Sequence, residues 1–215
     1  MSNAITIRHI KNGNFSDEDV KAITHVNLTA FKTHAFHVIT TRNRPDLWAL
    51  PEVQGVILGG DFYLAERDGK VVGATGVFPP GTEFLNTEEH QAKVLGPFGA
   101  QIEPDLQEWF IGYFSPGYKE QSVRTFGPTG KLDNYHFQTV CVLPEYHGQG
   151  IARKLIEHVR DIAHPQGVAI SLEANTAQNV AIYQKVGLKL IGDTVFRGPE
   201  PLNEDLYFNF MEWKP

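Results

Sequence analysis

Cysteine is almost missing from this chain: Cys141 stands alone, so no internal disulfide can form, and no Cys/His spacing of the zinc-site kind occurs. A reducing compartment is expected. Positive charge is also short, with 19 Lys and Arg against 25 Asp and Glu and a net charge of −6. Binding a phosphate backbone needs a basic excess, so nucleic acid is not an expected partner. No segment approaches the ~20 apolar residues of a membrane span, and Met1 to Ile10 holds no apolar run of signal-peptide length. No membrane partner and a cytoplasmic location are therefore expected. The sequons Asn14-Phe15-Ser16 and Asn27-Leu28-Thr29 then read as chance tripeptides. What is present is an ordinary globular balance over 215 residues, 41% hydrophobic and 20% charged, enough to bury a core in one domain spanning 1–215.

Ile5 to Ile10 alternates apolar and polar residues as a half-buried strand does. Ser16 and Asp19 have capping-box spacing, and Val20, Ile23, Leu28 and Phe31 continue a helix after them. Beyond Thr33 the pattern is irregular, with a break at Arg44-Pro45 before a possible second helix. Phe62–Glu66 and Val71–Val77 flank Asp68-Gly69, a hairpin turn that tolerates positive φ. An insertion from about Thr82 to Lys131 follows, carrying helical fragments and many aromatics. Tyr135 to Leu143 then reads as a strand, and Ile151, Leu155, Ile156, Val159 and Ile162 as one helical face. Val168–Ala174, Asn179–Val186, Gly187–Ile191 and Leu206–Trp213 complete the chain as strand, helix, strand and strand. The class is α/β in the mixed sense, with an antiparallel front half and one parallel step.

Two motifs carry chemistry. His147-Gly148-Gln149-Gly150-Ile151-Ala152 sits at a strand-to-helix junction, where glycines let backbone N–H groups converge on an anion and the helix dipole favours negative charge. A tight turn alone would also use these glycines. About twenty-five residues on comes Asn179-Val180-Ala181-Ile182-Tyr183-Gln184-Lys185-Val186-Gly187-Leu188. Together they resemble the GNAT superfamily of N-acetyltransferases: Gly150 and Ala152 match its Gln/Arg-x-x-Gly-x-Gly/Ala motif, and Asn179, Tyr183 and Gly187 match its second. His147 departs from the usual Gln or Arg, and Ala181-Ile182 is offset by one residue.

The resemblance implies a mostly antiparallel central sheet with helices on both faces and acetyl-coenzyme A (acetyl-CoA) as cofactor. It implies that backbone donors of Gln149, Gly150, Ile151 and Ala152, with Gly148, hold the pyrophosphate, His147 and Asn179 adding to the site. Val140, Cys141 and Val142 would lie along the pantetheine arm. Cys141 reads as a packed side chain rather than a nucleophile, since no flanking base is evident. Tyr183 is the catalytic acid candidate for the departing thiolate. The base candidate is His136, with Asp133 and a water relay as competitors.

Trp109, Phe110 and Tyr113, in the insertion, are the candidate acceptor wall, suited to a small apolar or aromatic amine; the alternative is that they pack the insertion onto the core. The expected reaction is direct acetyl transfer to a primary amine of a small molecule by a monomer or homodimer. A protein or peptide acetyltransferase and a non-catalytic acyl-CoA sensor are the alternatives. His34 and His37 form a His-x-x-His pair, but with no third ligand in view no metal is expected. Gly59-Gly60-Asp61-Phe62 lacks the second acidic residue of a diguanylate cyclase signature. The lipase-like His147-Gly148-Gln149-Gly150 has no nucleophile elbow to serve.

Overall fold

A computed structural model describes residues 4–215. Seven strands form one sheet in the order β1-β2-β3-β4-β5-β7-β6: β1 (Thr6–Ile10), β2 (Asp61–Arg67), β3 (Lys70–Phe78), β4 (Tyr135–Val142), β5 (Ile170–Ala174), β6 (Lys189–Arg197) and β7 (Asp205–Trp213). The β2–β3 turn falls on Asp68 and Gly69, both at positive φ, as the Asp-Gly signal predicts. The β4–β5 step is parallel and the other pairings are antiparallel.

The first helix, α1 (Asp17–Phe31), begins with the capping box: Ser16 Oγ accepts from the Asp19 N–H at 3.1 Å and the Asp19 carboxylate accepts from the Ser16 N–H. A short α2 (Ala35–Thr40), not foreseen in the sequence, precedes α3 (Asp46–Gly59), the helix beyond the Arg44-Pro45 break. Between β3 and β4 run α4 (Glu88–Gly99), α5 (Pro104–Glu108), a wide π-helical turn (Trp109–Phe114), α6 (Ser115–Phe126) and α7 (Gly130–Asp133). Then come α8 (Ile151–Ala163) and α9 (Ala177–Lys185). β6 runs on to Arg197, beyond the expected Ile191, because its pairing with β7 supplies backbone partners to the end. Its residues Leu190, Ile191 and Val195 are exposed, which blurs the apolar pattern.

One core lies between the sheet and α8, where Leu155, Ile156 and Val159 meet Phe137, Ile170 and Leu172. A second lies on the opposite face, where Ile23 and Val26 of α1 and Val53 and Val56 of α3 meet Phe62, Leu64, Ala74 and Cys141. Helices thus cover both faces. α3 approaches the sheet closely because Gly76 has no side chain: a Cβ there would stand 2.9 Å from Val56. The insertion packs its aromatics, Phe114 foremost, on Phe196, Leu206, Phe208 and Phe210 of β6 and β7.

Candidate active site

The sheet opens where β4 and β5 part. Only Tyr135, His136 and Phe137 pair with β5, at Ile170, Ser171 and Leu172. Just past this point the β3–β4 register shifts, with Gly76 opposite Thr139 and Val77 opposite Phe137. Gln138 is therefore an extra residue in β4, and such a bulge re-aims the side chains around it. It borders both hollows found at the opening.

The smaller hollow is polar and is bordered by Thr139 and Val140 of β4, Asn175, Asn179 and Tyr183. Thr176 caps α9 by accepting from the Asn179 N–H, and Tyr183 follows one turn later. The Tyr183 ring is buried, and its hydroxyl makes no hydrogen bond among the described residues. Burial, with a further contribution from Cys141, holds its phenol above the ordinary value, so it carries its proton throughout the neutral range.

At the end of β4 the chain enters the glycine loop. Gly148 and Gly150 adopt φ of 76° and 75°, and a Cβ at either would meet no atom within 4 Å among the described residues beyond its chain neighbours. That left-handed backbone favours glycine. The first-turn N–H groups of α8 have no acceptor within the helix, and the open space lies beside them. Ile151 itself is buried in the α8 core, with Ala152 packed against that core, so both contribute backbone rather than side chain. His147 folds back to donate from Nε2 to the Val142 carbonyl at 2.9 Å, and Gln149 accepts from Arg67 at 2.8 Å. The loop is thus braced from β4 and from β2, and an anion finds its donors in the main chain. This fits the pyrophosphate of acetyl-CoA. Cys141 points into the core between the sheet and α3; its Sγ donates to the Ala74 carbonyl, and burial pushes the thiol up to about 12. Its place beside the cofactor would be a matter of backbone alone.

The larger hollow is a cavity of about 680 Å³ between the insertion and the sheet opening. Phe84, Leu95, Phe98, Ile102, Phe110 and Phe114 form its apolar side, and Glu52, Glu83, Lys131, His136, Gln138 and Glu173 its polar side. Of the three aromatics expected to line an acceptor site, only Phe110 does. Trp109 donates from its indole to the Arg197 carbonyl at 3.0 Å, and Tyr113 Oη accepts from the Arg197 N–H at 3.1 Å. Both therefore fasten the π-helical turn to β6, the packing role.

His136 borders the cavity, but its ring nitrogens face protein groups. Nδ1 is 3.0 Å from Ser171 Oγ, and Nε2 is 3.2 Å from Glu173 Oε2, off the line of a good hydrogen bond. Burial and the nearby Lys131 charge lower its proton affinity, with Glu173 opposing. Lys131 reaches Glu173 Oε1 at 2.8 Å, and Tyr118 donates to the same oxygen at 3.0 Å. Burial alone would raise the Glu173 carboxyl, but Lys131 and His136 hold it well below the usual range. Glu173 is thus a compensated anion. Asp133, the competing base candidate, accepts from Thr129 Oγ1 at 2.6 Å and borders neither hollow.

Glu52 escaped the sequence reading. It lies on α3, 5% exposed, and is the carboxyl that borders both hollows without a cationic partner among the described residues. Asn27 donates to its Oε2 at 2.7 Å, and His37 Nε2 lies 3.6 Å from the same oxygen. Burial raises its carboxyl to about 7, the Asn27 hydrogen bond working against that rise. No local motif marks it; the one available signal is a Glu in a helical stretch, Leu47 to Leu58, whose only other polar residue is Gln54. The His34–His37 pair sits behind it with no metal-sized cluster of ligands among the described residues.

Residues 117–189, from α6 to the first residue of β6, match the family described as acetyltransferase (GNAT) domain. Over that stretch the chain is similar to the GNAT acetyltransferases, and its fold as a whole is similar to that of solved N-acetyltransferases. Among solved structures it resembles the polyamine N-acetyltransferase of Drosophila melanogaster, an enzyme that forms N-acetylagmatine (13% identity, TM-score 0.63, 99% of this chain and 100% of that one). It also resembles a mosquito arylalkylamine N-acetyltransferase-like protein (17%, 0.60, 99% and 100%). A third is a putative acetyltransferase from Salmonella typhimurium with its cofactor acetyl-CoA (17%, 0.53, 99% and 94%). At such identities the likeness speaks for the fold. No curated protein matches the chain in sequence.

Proposed function

We propose that the chain acetylates the primary amine of a small molecule carrying an apolar body. The observation that carries this reading is the cavity of about 680 Å³, apolar on one side and acidic on the other, opening toward the β4–β5 gap. That volume lies within the ~300–1,000 Å³ range of sites for drug-sized ligands. An ammonium is drawn to the uncompensated Glu52, while Phe98, Phe110 and Phe114 cover the remainder of the molecule.

When bound, acetyl-CoA supplies the acetyl thioester. Gly148 to Ala152 would hold its pyrophosphate through main-chain N–H groups, and Val140 to Val142 with Asn179 would border its arm. Glu52 takes a proton from the ammonium and so frees the nitrogen lone pair; a carboxyl titrating near 7 is suited to that at neutral pH. Tyr183 Oη holds the proton that a departing thiolate requires. His136, whose ring nitrogens are turned to Ser171 and Glu173, serves the polar wall rather than the proton transfer.

A thiol-release assay over amines matched in pKa tests the reading, with phenylalkyl amines, short alkyl amines, diamines and peptides as acceptors. The highest kcat/KM is expected for monoamines with bulky apolar tails. Preference for peptides would move the assignment to protein acetylation, and acetyl-CoA binding with no turnover on any amine would leave a sensor. Glu52→Gln should abolish most turnover, while His136→Gln should spare the pH profile.

A further inference from the structure

Asn27 has no place in the acetyl-transfer machinery, yet it is fully buried, and burying an amide without good reason is costly. Its Nδ2 donates to Glu52 Oε2 at 2.7 Å and lies 3.4 Å from Thr139 Oγ1, beside the β4 bulge. Its Oδ1 has no hydrogen-bond partner among the described residues. Thr139 is fixed in turn, because Thr75 Oγ1 donates to its carbonyl at 2.7 Å. The amide thus joins α1, α3 and β4 at the point where both hollows meet. His37 adds a second contact, 3.6 Å from the same Glu52 oxygen. Oε2 is therefore engaged, and Oε1 is left without a hydrogen-bond partner among the described residues.

We propose that Asn27 is the positioning residue of the catalytic base: by occupying Oε2 it fixes the Glu52 carboxyl so that Oε1 receives the substrate proton, and its donated hydrogen bond favours the carboxylate form. This rests on the reading of Glu52 as the base. A hydrogen bond to the ionised form is among the stronger ones, because charge adds to it. Without the amide donor, burial acts on Glu52 unopposed. The other titratable groups around it do not replace that donor. His37 and His34, from α2 and its N-terminal flank, are pushed by burial to about 3 and 4 and stay neutral. Cys141, facing from β4, stays a thiol. Across the cavity, Lys131 is paired with Glu173 beside His136, and Glu83 adds negative charge near His136.

The test is the pH dependence of kcat/KM with an acceptor amine whose own pKa lies well above the range scanned. Asn27→Asp keeps the shape but removes the donor and adds like charge; Asn27→Leu removes the donor alone; Thr139→Val removes the second anchor. In the Asn27 variants the acidic limb should move upward by roughly one to two pH units, as expected for loss of a hydrogen bond to a charged group. Thr139→Val should move it less. Acetyl-CoA affinity by calorimetry should stay as in the parent protein. Glu52→Gln separates the two levels of inference. If its profile keeps the parent limb, Glu52 is not the base and the proposal falls with that reading. If Glu52→Gln loses the limb while a folded Asn27→Asp or Asn27→Leu keeps it at the parent pH, Glu52 stands and the positioning role of Asn27 is overturned.

Discussion

Glu52 should be felt in stability as well as in turnover. Its carboxyl is raised from 4.5 to about 7 in the folded chain, so between these values the native state binds more protons than the unfolded state. The stabilising contribution is fully present below the unfolded value and is lost as pH rises through the folded one. Integrated, the shift corresponds to about 3 kcal/mol. Glu52→Gln, which stays neutral, should therefore raise Tm relative to the parent at pH 8, and the advantage should shrink toward pH 5; equal Tm differences at both pH values would contradict the buried, uncompensated carboxyl. Tyr183→Phe acts on the other proton. It keeps the ring and deletes the acid, so kcat should fall within the ~10²–10⁴ typical of general acid–base catalysis, with little change in acetyl-CoA affinity by calorimetry. Tyr183 was legible in the sequence because it sits at a fixed distance from Asn179 and Gly187 in a local motif. Glu52 was not, because it reaches the site through a long-range approach of α3 to Gly76 that no local spacing encodes.

At the level of elements, an ion pair ties the insertion to the sheet, Lys131 on α7 with Glu173 on β5, each nearly buried. Removing one member of such a pair leaves a charge without compensation, typically at a cost of 3–5 kcal/mol. Lys131→Met should therefore lower chemical-denaturation stability by about that amount, and Lys131→Met with Glu173→Gln should recover much of it. The glycine loop makes the opposite case. Gly150→Leu places its Cβ in space free of protein atoms, so the penalty is the left-handed backbone, about 1–2 kcal/mol. The protein should stay folded while calorimetry finds acetyl-CoA binding lost; unchanged affinity would remove the loop from the cofactor site. The loop and α8 were readable because glycine spacing and an apolar face are both short-range signals. The wall of the cavity was read less well. Trp109, Phe110 and Tyr113 adjoin in sequence, but a π-helical turn sends Phe110 to the cavity and the other two to Arg197.

For the molecule as a whole, order and type of the strands followed from the sequence, including the single parallel step, because turn residues and periodicity punctuate them. The reach of β6 and the meeting of α1, α2 and α3 over the sheet did not, since both depend on tertiary partners. A ligand that binds only the folded chain should add about 2.7 kcal/mol when present at about 100 times its Kd, so titrating acetyl-CoA should raise Tm in step with concentration.

The separation of β4 from β5 has a further consequence. Past Phe137, β4 keeps its β3 partner but pairs with no strand on the β5 side among the described residues, and although His147 holds the Val142 carbonyl, the edge before it lacks the strand partner that a continuous sheet would supply. A ligand arm that pairs with that free edge would finish the sheet in place of a strand. The resting form would then be a sheet with a slot, and amide hydrogen–deuterium exchange should slow on cofactor binding along Gln138 to Val142 and the glycine loop, leaving β1 and β2 as they were. Uniform slowing across the sheet would instead mean that the cofactor tightens the whole fold and not this edge.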